Sequence, residues 1–120
     1  MLVRVVSDRI SRDELSRLAA ETYKEMIKAA VDVQKEVLAV GGELHADCEA
    51  RLLDEGSQEK DLWGINIYLE KPESERIEYT SFINVRPSHG NSSMEIKDPR
   101  LRKRIGDIVK RRIDWGPGNT

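Results

Sequence analysis

Titratable side chains stand at every second position of one short segment. His45, Asp47 and Glu49 alternate with apolar residues in ELHADCEARL, residues 43–52. Strict alternation predicts a β-strand, on which residues two apart point to the same face, about 6–7 Å from each other. An imidazole flanked by carboxylates binds a divalent metal or acts as an oriented general base. The spacing therefore makes these three residues candidate metal ligands.

The same segment also fits a helix. Its apolar residues recur at every fourth position as well, and Gly56 is placed where a helix could end. In a helix, Asp47 no longer shares a face with His45 and Glu49. In a strand, a charged row is also what the solvated face of an antiparallel sheet carries without any ligand. We favour the strand, and both assignments stay open for residues 43–53.

A second group of polar residues follows the last predicted strand. Residues 84–93 contain Arg86 and Asn91 in a stretch rich in Gly, Ser, Asn and Pro. Arg86 presents a planar guanidinium that suits a carboxylate or a phosphate. The same composition is typical of a surface turn whose Asn and Ser side chains bond their own backbone. The spacing matches no phosphate-loop pattern, so it does not indicate nucleotide binding.

A third group lies in the apolar stretch DLWGINIY, residues 61–68. Asn66 is an amide among apolar neighbours, and such amides are usually bonded structural groups. Gly64 beside Trp63 indicates a bulge or a close approach of another backbone. Asp61 opens the stretch and adds a carboxylate. We take Asp61 and Asn66 as candidate ligand-binding residues.

The C-terminal segment concentrates positive charge. Residues 97–113 hold eight Lys or Arg and two Asp, whereas the whole chain has a net charge of −2. A basic helix of this kind binds nucleic acid or an acidic partner, or it forms a solvated face. The acidic balance of the whole and the few aromatic residues argue against a surface built for nucleic acid. If nucleic acid binds, we expect it at Arg100, Arg104, Lys110 and Arg111.

The elements that would position these residues form an α+β domain. A capping box at Ser11 and Glu14 starts an N-terminal helix, and Asp98 followed by Pro99 starts a C-terminal one. Between them we predict an antiparallel β-sheet of about five strands, with both helices packed on one face. Residues 26–40 also fit a helix, and we favour a β-hairpin. The predicted strands cover residues 2–6, the hairpin within 26–40, and residues 43–52, 62–69 and 77–85.

One domain accounts for the chain of 120 residues. Residues 1–114 are predicted to form it, and residues 115–120 a flexible C-terminal tail. No stretch approaches the roughly 18 uncharged apolar residues of a membrane helix, and the N-terminus lacks the apolar core of a signal peptide. The single cysteine, Cys48, excludes an intramolecular disulfide. These features predict a cytoplasmic protein that does not bind a membrane.

Three stretches taken together resemble a small uncharacterised prokaryotic family, one of the domains of unknown function. They are GGELHADCE at 41–49, DLWGINIY at 61–68, and INVRP at 83–87 followed by Gly90 and Asn91. The likeness extends over most of the chain, with one departure: Gln-Lys-Glu at 34–36 stands where a glycine-containing turn is expected. The resemblance implies a small stand-alone prokaryotic protein, and it brings no assigned activity.

The resemblance directs attention to the polar residues of these stretches, which we expect to converge on one pocket between the HADCE strand and the RPSHGN loop. The favoured hypothesis is a binding or regulatory module without a cofactor, which could assemble as a homo-oligomer. The second is a small hydrolase or nuclease that uses a divalent metal, and the third is nucleic-acid binding by the basic helix. The sequence leaves open whether the chain is an enzyme. The candidate ligand-binding residues are His45, Asp47, Glu49, Asp61, Asn66, Arg86 and Asn91.

Overall fold

A computed structural model describes residues 3–116 and confirms an α+β fold built on a five-stranded antiparallel sheet. In chain order the elements are β1 (Arg4–Val6), β2 (Ile10–Ser11), α1 (Arg12–Ala20), β3 (Met26–Asp32), β4 (Val37–Val40), α2 (His45–Asp54), β5 (Leu62–Tyr68), β6 (Ile77–Glu78), α3 (Pro99–Arg112) and β7 (Ile113–Asp114). The sheet order is β1-β4-β3-β5-β6, and β2 pairs with β7 as a separate parallel ribbon. Of the predicted tail, residues 117–120 lie outside the described residues.

Local signals start two of the helices where the sequence predicts. The Ser11 hydroxyl accepts a hydrogen bond from the Glu14 backbone N–H at 3.1 Å, which caps α1. The Asp98 carboxylate accepts one from the Arg100 N–H at 2.9 Å, and Pro99 occupies the first position of α3. Both predicted helix starts are confirmed. Each cap satisfies a backbone donor that a helix N-terminus leaves unpaired.

The predicted hairpin is also confirmed, as β3 and β4. Its turn has no glycine; instead Glu36 takes a positive φ of 60°. One oxygen of the buried Asp32 carboxylate accepts from the N–H groups of Gln34 and Lys35, both at 2.9 Å. The Ser57 hydroxyl donates to the other oxygen at 2.6 Å. Hydrogen bonds to the Asp32 side chain therefore stabilise this turn, whereas a glycine-containing turn would depend on the backbone conformation that glycine allows.

The predicted strand over residues 43–52 is wrong, because this segment forms α2. The Asp47 carboxylate accepts a hydrogen bond from the Leu44 N–H at 3.0 Å, which stabilises the first turn. Cys48 and Leu52, four residues apart, are buried, whereas Leu44 is exposed. The segment thus buries the apolar residues at helical spacing and leaves the others at the surface.

The predicted strand over residues 77–85 is mostly wrong as well. Only Ile77–Glu78 pairs with β5, and a short 3₁₀ turn follows at Phe82–Asn84. The Ser81 hydroxyl accepts from the Ile83 N–H at 3.2 Å and so starts that turn. Instead of extending β6, the chain leaves the sheet edge and forms the loop of residues 81–97.

Apolar side chains cover both faces of the sheet. Residues of α1 and α3, among them Leu15 and Ile105, share one core with Ile27 of β3. On the other face Cys48 and Leu52 of α2 form a smaller core. No helix within residues 3–116 has the length and hydropathy needed to cross a membrane.

Gly64 lies where the 81–97 loop presses on β5. A Cβ at this position would stand 2.6 Å from the Ser81 Cβ and 3.0 Å from the Ile83 Cγ1. We therefore expect Gly64→Ala to lower the free energy of unfolding by about 1–3 kcal/mol through overpacking. Urea denaturation measures this loss.

The matched control for this prediction is a double-mutant cycle with Ser81→Gly. That change removes the closest clashing atoms, so the double variant should lose less stability than the sum of the two single variants. Additive losses would contradict the assignment of the clash to Ser81.

Candidate functional site

β5 has a long hydrogen-bonding partner on one side and a short one on the other. β3 pairs along all seven residues of β5, whereas β6 pairs at two positions. The backbone groups of Leu62 and Gly64 on the β6 side are instead bonded by side chains. The Asn84 amide donates to the Gly64 carbonyl at 3.0 Å and accepts from its N–H at 2.8 Å. Arg86 Nη1 donates to the Leu62 carbonyl.

Asn91 holds the loop that carries these two side chains. Its Nδ2 donates to the carbonyls of Asn84 and Ser93, both at 2.8 Å, and its Oδ1 accepts from the Lys97 N–H at 3.1 Å. Its backbone N–H and carbonyl also bond those of Arg86. These bonds give Asn91 a structural role, the one typical of buried amides.

Arg86 joins the loop to α2. Its Nη2 lies 3.0 Å from the Glu49 Oε2, with 8% of the Arg86 side chain and 19% of the Glu49 side chain exposed. The guanidinium also lies over the Trp63 ring, 5.1 Å from its centre. Burial raises the pKa of Glu49, and the Arg86 charge opposes that shift only in part. A direct ion pair thus joins Glu49 of α2 to Arg86 of the loop.

Another polar cluster lies on the same face of the sheet, beside the first turn of α2. Lys28, Asn66 and Glu78 are directly paired across β3, β5 and β6, so their side chains share a face. Tyr68 lies two residues beyond Asn66 on β5, and His45 reaches the cluster from α2. We call these five residues the polar patch.

Hydrogen bonds connect four members of the polar patch. His45 Nε2 lies 2.8 Å from the Asn66 Oδ1 and 3.0 Å from the Ile65 carbonyl oxygen. Asn66 Nδ2 donates to the Glu78 Oε1 at 2.7 Å, and the Tyr68 hydroxyl donates to the same oxygen at 3.2 Å. With two acceptors beside it, Nε2 carries the proton of the neutral ring, which leaves Nδ1 as an acceptor.

The surroundings of His45 favour its neutral form. Burial lowers the pKa of His45 below the ordinary 6.5, and the Lys28 charge adds to the shift. The bonds to Ile65 and Asn66 and the Glu78 charge oppose it without reversing it. Lys28 Nζ lies 4.9 Å from the centre of the Tyr23 ring. The patch therefore combines a neutral imidazole, an ammonium group and a carboxylate.

The seven sequence candidates separate into pairs and single residues. His45 with Asn66 and Glu49 with Arg86 form two contacts one helical turn apart along α2. Asp47 caps that helix. The remaining two lie elsewhere: the Asp61 carbonyl accepts from the Val33 N–H at 3.0 Å, and Asn91 lies within the 81–97 loop.

The strand row on which the metal hypothesis depended does not exist. Successive residues of a helix point about 100° apart, so Asp47 turns away from His45 and Glu49. Residues 3–116 contain no group of three or more His, Cys, Asp or Glu side chains placed to hold a metal ion. The geometry of this segment therefore does not support the metal-site hypothesis.

Sequence reasoning missed three members of the polar patch: Lys28, Tyr68 and Glu78. Lys28 has a weak signal, since it is a charged residue inside an otherwise apolar strand. Its position beside Asn66 and Glu78 depends on the register of three strands, which no local pattern contains.

The basic helix α3 makes many contacts within its own chain. Arg104 bonds the Val33 carbonyl, Arg111 pairs with Glu36, and Lys110 lies 3.5 Å from Glu73. Among the four residues predicted to meet nucleic acid, only Arg100 has no side-chain hydrogen bond or ion pair to another described residue. Internal contacts thus explain much of this positive charge, and nucleic-acid binding stays a prediction.

Comparison with known proteins gives one match. A family model described as a protein of unknown function, DUF5674, matches residues 4–112. No curated protein matches the chain, and no solved structure does.

Replacing Arg86 by Met should lower the free energy of unfolding by about 2–4 kcal/mol, because it leaves a half-buried carboxylate and a buried carbonyl without their donor. Urea denaturation measures the loss. Lys103→Met removes an exposed ion pair with Asp107 and should cost under about 1 kcal/mol. Equal losses in the two variants would contradict a structural role for Arg86.

The lowered pKa of His45 predicts a pH-dependent stability. Between pH 6.5 and the lower pKa of His45 in the folded chain, the unfolded chain binds a proton at this residue and the folded chain does not. The stability that neutral His45 contributes is therefore present above pH 6.5 and is lost as the pH falls. Thermal melts from pH 7.5 to 5 should show a smaller decline in His45→Gln than in the native chain.

His89→Gln is the matched control, since His89 is exposed on the 81–97 loop. It should leave the decline unchanged. An NMR titration that places the pKa of His45 at or above 6.5 would contradict the prediction.

Proposed function

Since the chain belongs to DUF5674, a family of proteins of unknown function, we propose a function from its own geometry: it is a binding module whose ligand occupies the polar patch. The observation that carries this proposal is the His45 ring. Its Nε2 is used within the protein, while its Nδ1 has no hydrogen-bond partner among the described residues. An oriented acceptor of this kind suits a ligand that donates a hydrogen bond.

The opposite charges of Lys28 and Glu78, on either side of the His45 imidazole, indicate which charges the ligand carries. Lys28 and Glu78 lie on the strands that flank β5, so their Cα atoms are about 10 Å apart. Asn66 and Tyr68 both bond one oxygen of Glu78, Oε1. The second oxygen, Oε2, has no hydrogen bond to another described residue. We infer a small zwitterion, with its acidic group at Lys28 and its cationic N–H group at Glu78.

The proposal includes the cellular compartment and the oligomeric state of the protein. Cys48 is buried, and burial raises the pKa of its thiol to about 11. Such a thiol is unreactive and suits a reducing compartment, so we infer a cytoplasmic protein. The resemblance to a prokaryotic family supports a prokaryotic cell as its source. A homo-oligomer is compatible with this setting, and the exposed Phe82 and Val85 support it.

An NMR titration of the full chain with 4-aminobutyrate tests the function. The zwitterion should shift the amide signals of the polar patch and the His45 ring, with a dissociation constant on the order of 10 mM for so small a molecule. Butyrate and butylammonium each carry one of its two charges and should bind several-fold more weakly, since each loses one ionic contact.

Two pairs of variants assign the binding to the patch. Lys28→Met and Glu78→Gln should each weaken 4-aminobutyrate binding about tenfold, which corresponds to one charged hydrogen bond. Lys60→Met and Glu75→Gln alter exposed residues outside the patch and should leave binding unchanged. If the zwitterion binds no more tightly than butyrate and butylammonium, or if the shifts lie outside the patch, the proposal is wrong.

A further inference from the structure

A cavity of about 420 Å³ lies between α3, β7 and residues 73–77. None of its lining residues belongs to the polar patch or to the seven sequence candidates. Its volume falls within the range of sites that hold small molecules. The cavity is therefore a second candidate site, independent of the proposed function.

One wall of the cavity is aromatic and apolar. Trp115 follows β7 directly and packs with Val109, Ile113 and Ile77 at the margin of the main core. Because β7 pairs with β2, the backbone leading to Trp115 is held in place. The wall offers apolar surface against which a planar ring can pack.

A guanidinium group lies against this aromatic wall. The Arg76 Cζ is 3.9 Å from the centre of the Trp115 ring, and 6% of Arg76 is exposed. The Arg76 carbonyl accepts from the Tyr68 N–H at 2.8 Å, which fixes its backbone to the edge of β5. A guanidinium carries five N–H donors in a planar fork, which matches carboxylate and phosphate groups.

Charges around the cavity favour an anion. Three ion pairs surround it, and each is exposed: Lys110–Glu73 at 3.5 Å, Lys103–Asp107 at 3.1 Å and Arg9–Asp114 at 3.9 Å. Exposed pairs of this kind contribute little energy, so Lys110 and Arg9 can turn towards a ligand. Each of the three carboxylates that line the cavity is thus paired with an exposed cation, one of them Lys103 outside the lining, and Arg76 adds a further positive charge.

We propose that this cavity binds a small aromatic acid. The ring of the acid packs against Val109 and Ile113 at the side of Trp115, because the Arg76 guanidinium already covers one face of the indole. Its carboxylate or phosphate group accepts hydrogen bonds from Arg76, and the Lys110 charge adds to the attraction. The shared chemistry of the ligand is a planar ring with one anionic group.

Benzoate and benzamide, titrated into the full chain and followed by NMR, test the proposal. They have nearly the same shape, and only benzoate is charged. Benzoate should shift the Trp115 indole and the Gly106 and Gly116 amide signals, with a dissociation constant on the order of 1–10 mM. Benzamide should bind at least about fivefold more weakly. Phenyl phosphate in place of benzoate shows which anionic group the cavity prefers.

Variants separate the charge from the ring. Arg76→Gln should weaken benzoate binding about tenfold, and Lys110→Gln, at an exposed position, about twofold. Lys71→Gln is the matched control: Lys71 Nζ lies 4.0 Å from the centre of the Tyr68 ring, outside the cavity, and its loss should change nothing. If Arg76→Gln does not fold, the comparison of benzoate with benzamide on the native chain decides the matter.

Equal affinities for benzoate and benzamide would overturn the proposal, as would shifts confined to residues outside the cavity. Absence of any shift at about 100 mM, tenfold the upper end of the expected dissociation constant, would overturn it too. None of these results bears on the polar patch, which is tested with a different probe and different variants.

Discussion

Backbone groups on one edge of β5 that no neighbouring strand pairs dictate the arrangement of a large part of the molecule. β5 extends beyond the two residues that β6 pairs with it, so Leu62 and Gly64 need partners from elsewhere. A buried carbonyl or N–H without a partner costs about 1–3 kcal/mol. Asn84 and Arg86 supply those bonds, and the 81–97 loop must fold so that both side chains reach β5.

The position of α2 follows from the same constraint. Arg86 bonds β5 with one nitrogen and Glu49 with the other, so the loop that completes the sheet also holds the helix. One turn earlier, His45 bonds the Ile65 carbonyl and Asn66. The two contacts place α2 over part of the sheet and leave the polar patch beside its first turn. The same helix thus carries Glu49, which has a structural role, and His45, whose Nδ1 has no hydrogen-bond partner among the described residues.

Prediction from the sequence succeeds where the decisive interactions are local. The caps at Ser11 and Asp98 involve residues two or three positions apart, and both appear in the structure. It fails at residues 43–52 because periods of two and 3.6 both place an apolar residue at every fourth position. Cys48 and Leu52 satisfy either pattern, and the Asp47 carboxylate that stabilises the first turn of the helix is seen only in the structure.

The candidate site shows the same division. His45, Glu49, Asn66 and Arg86 are polar residues of distinctive stretches in the sequence, and the structure brings them into two contacts. Lys28 and Glu78 complete the polar patch through strand register, which depends on the whole sheet rather than on neighbouring residues. The cavity beside Trp115 depends on residues from both ends of the chain, so no short motif contains it.

The Asn84 amide affects whether copies of the chain can aggregate by pairing their strands. An uncovered strand edge offers a row of backbone donors and acceptors to which a second chain can add a strand, and this is a common route to aggregation. The primary amide of Asn84 directs one N–H donor and its carbonyl acceptor at Gly64, so Asn84 occupies the place that a foreign backbone would take there. The 81–97 loop therefore protects this edge of β5 from intermolecular β-pairing, and it does so without lengthening the sheet.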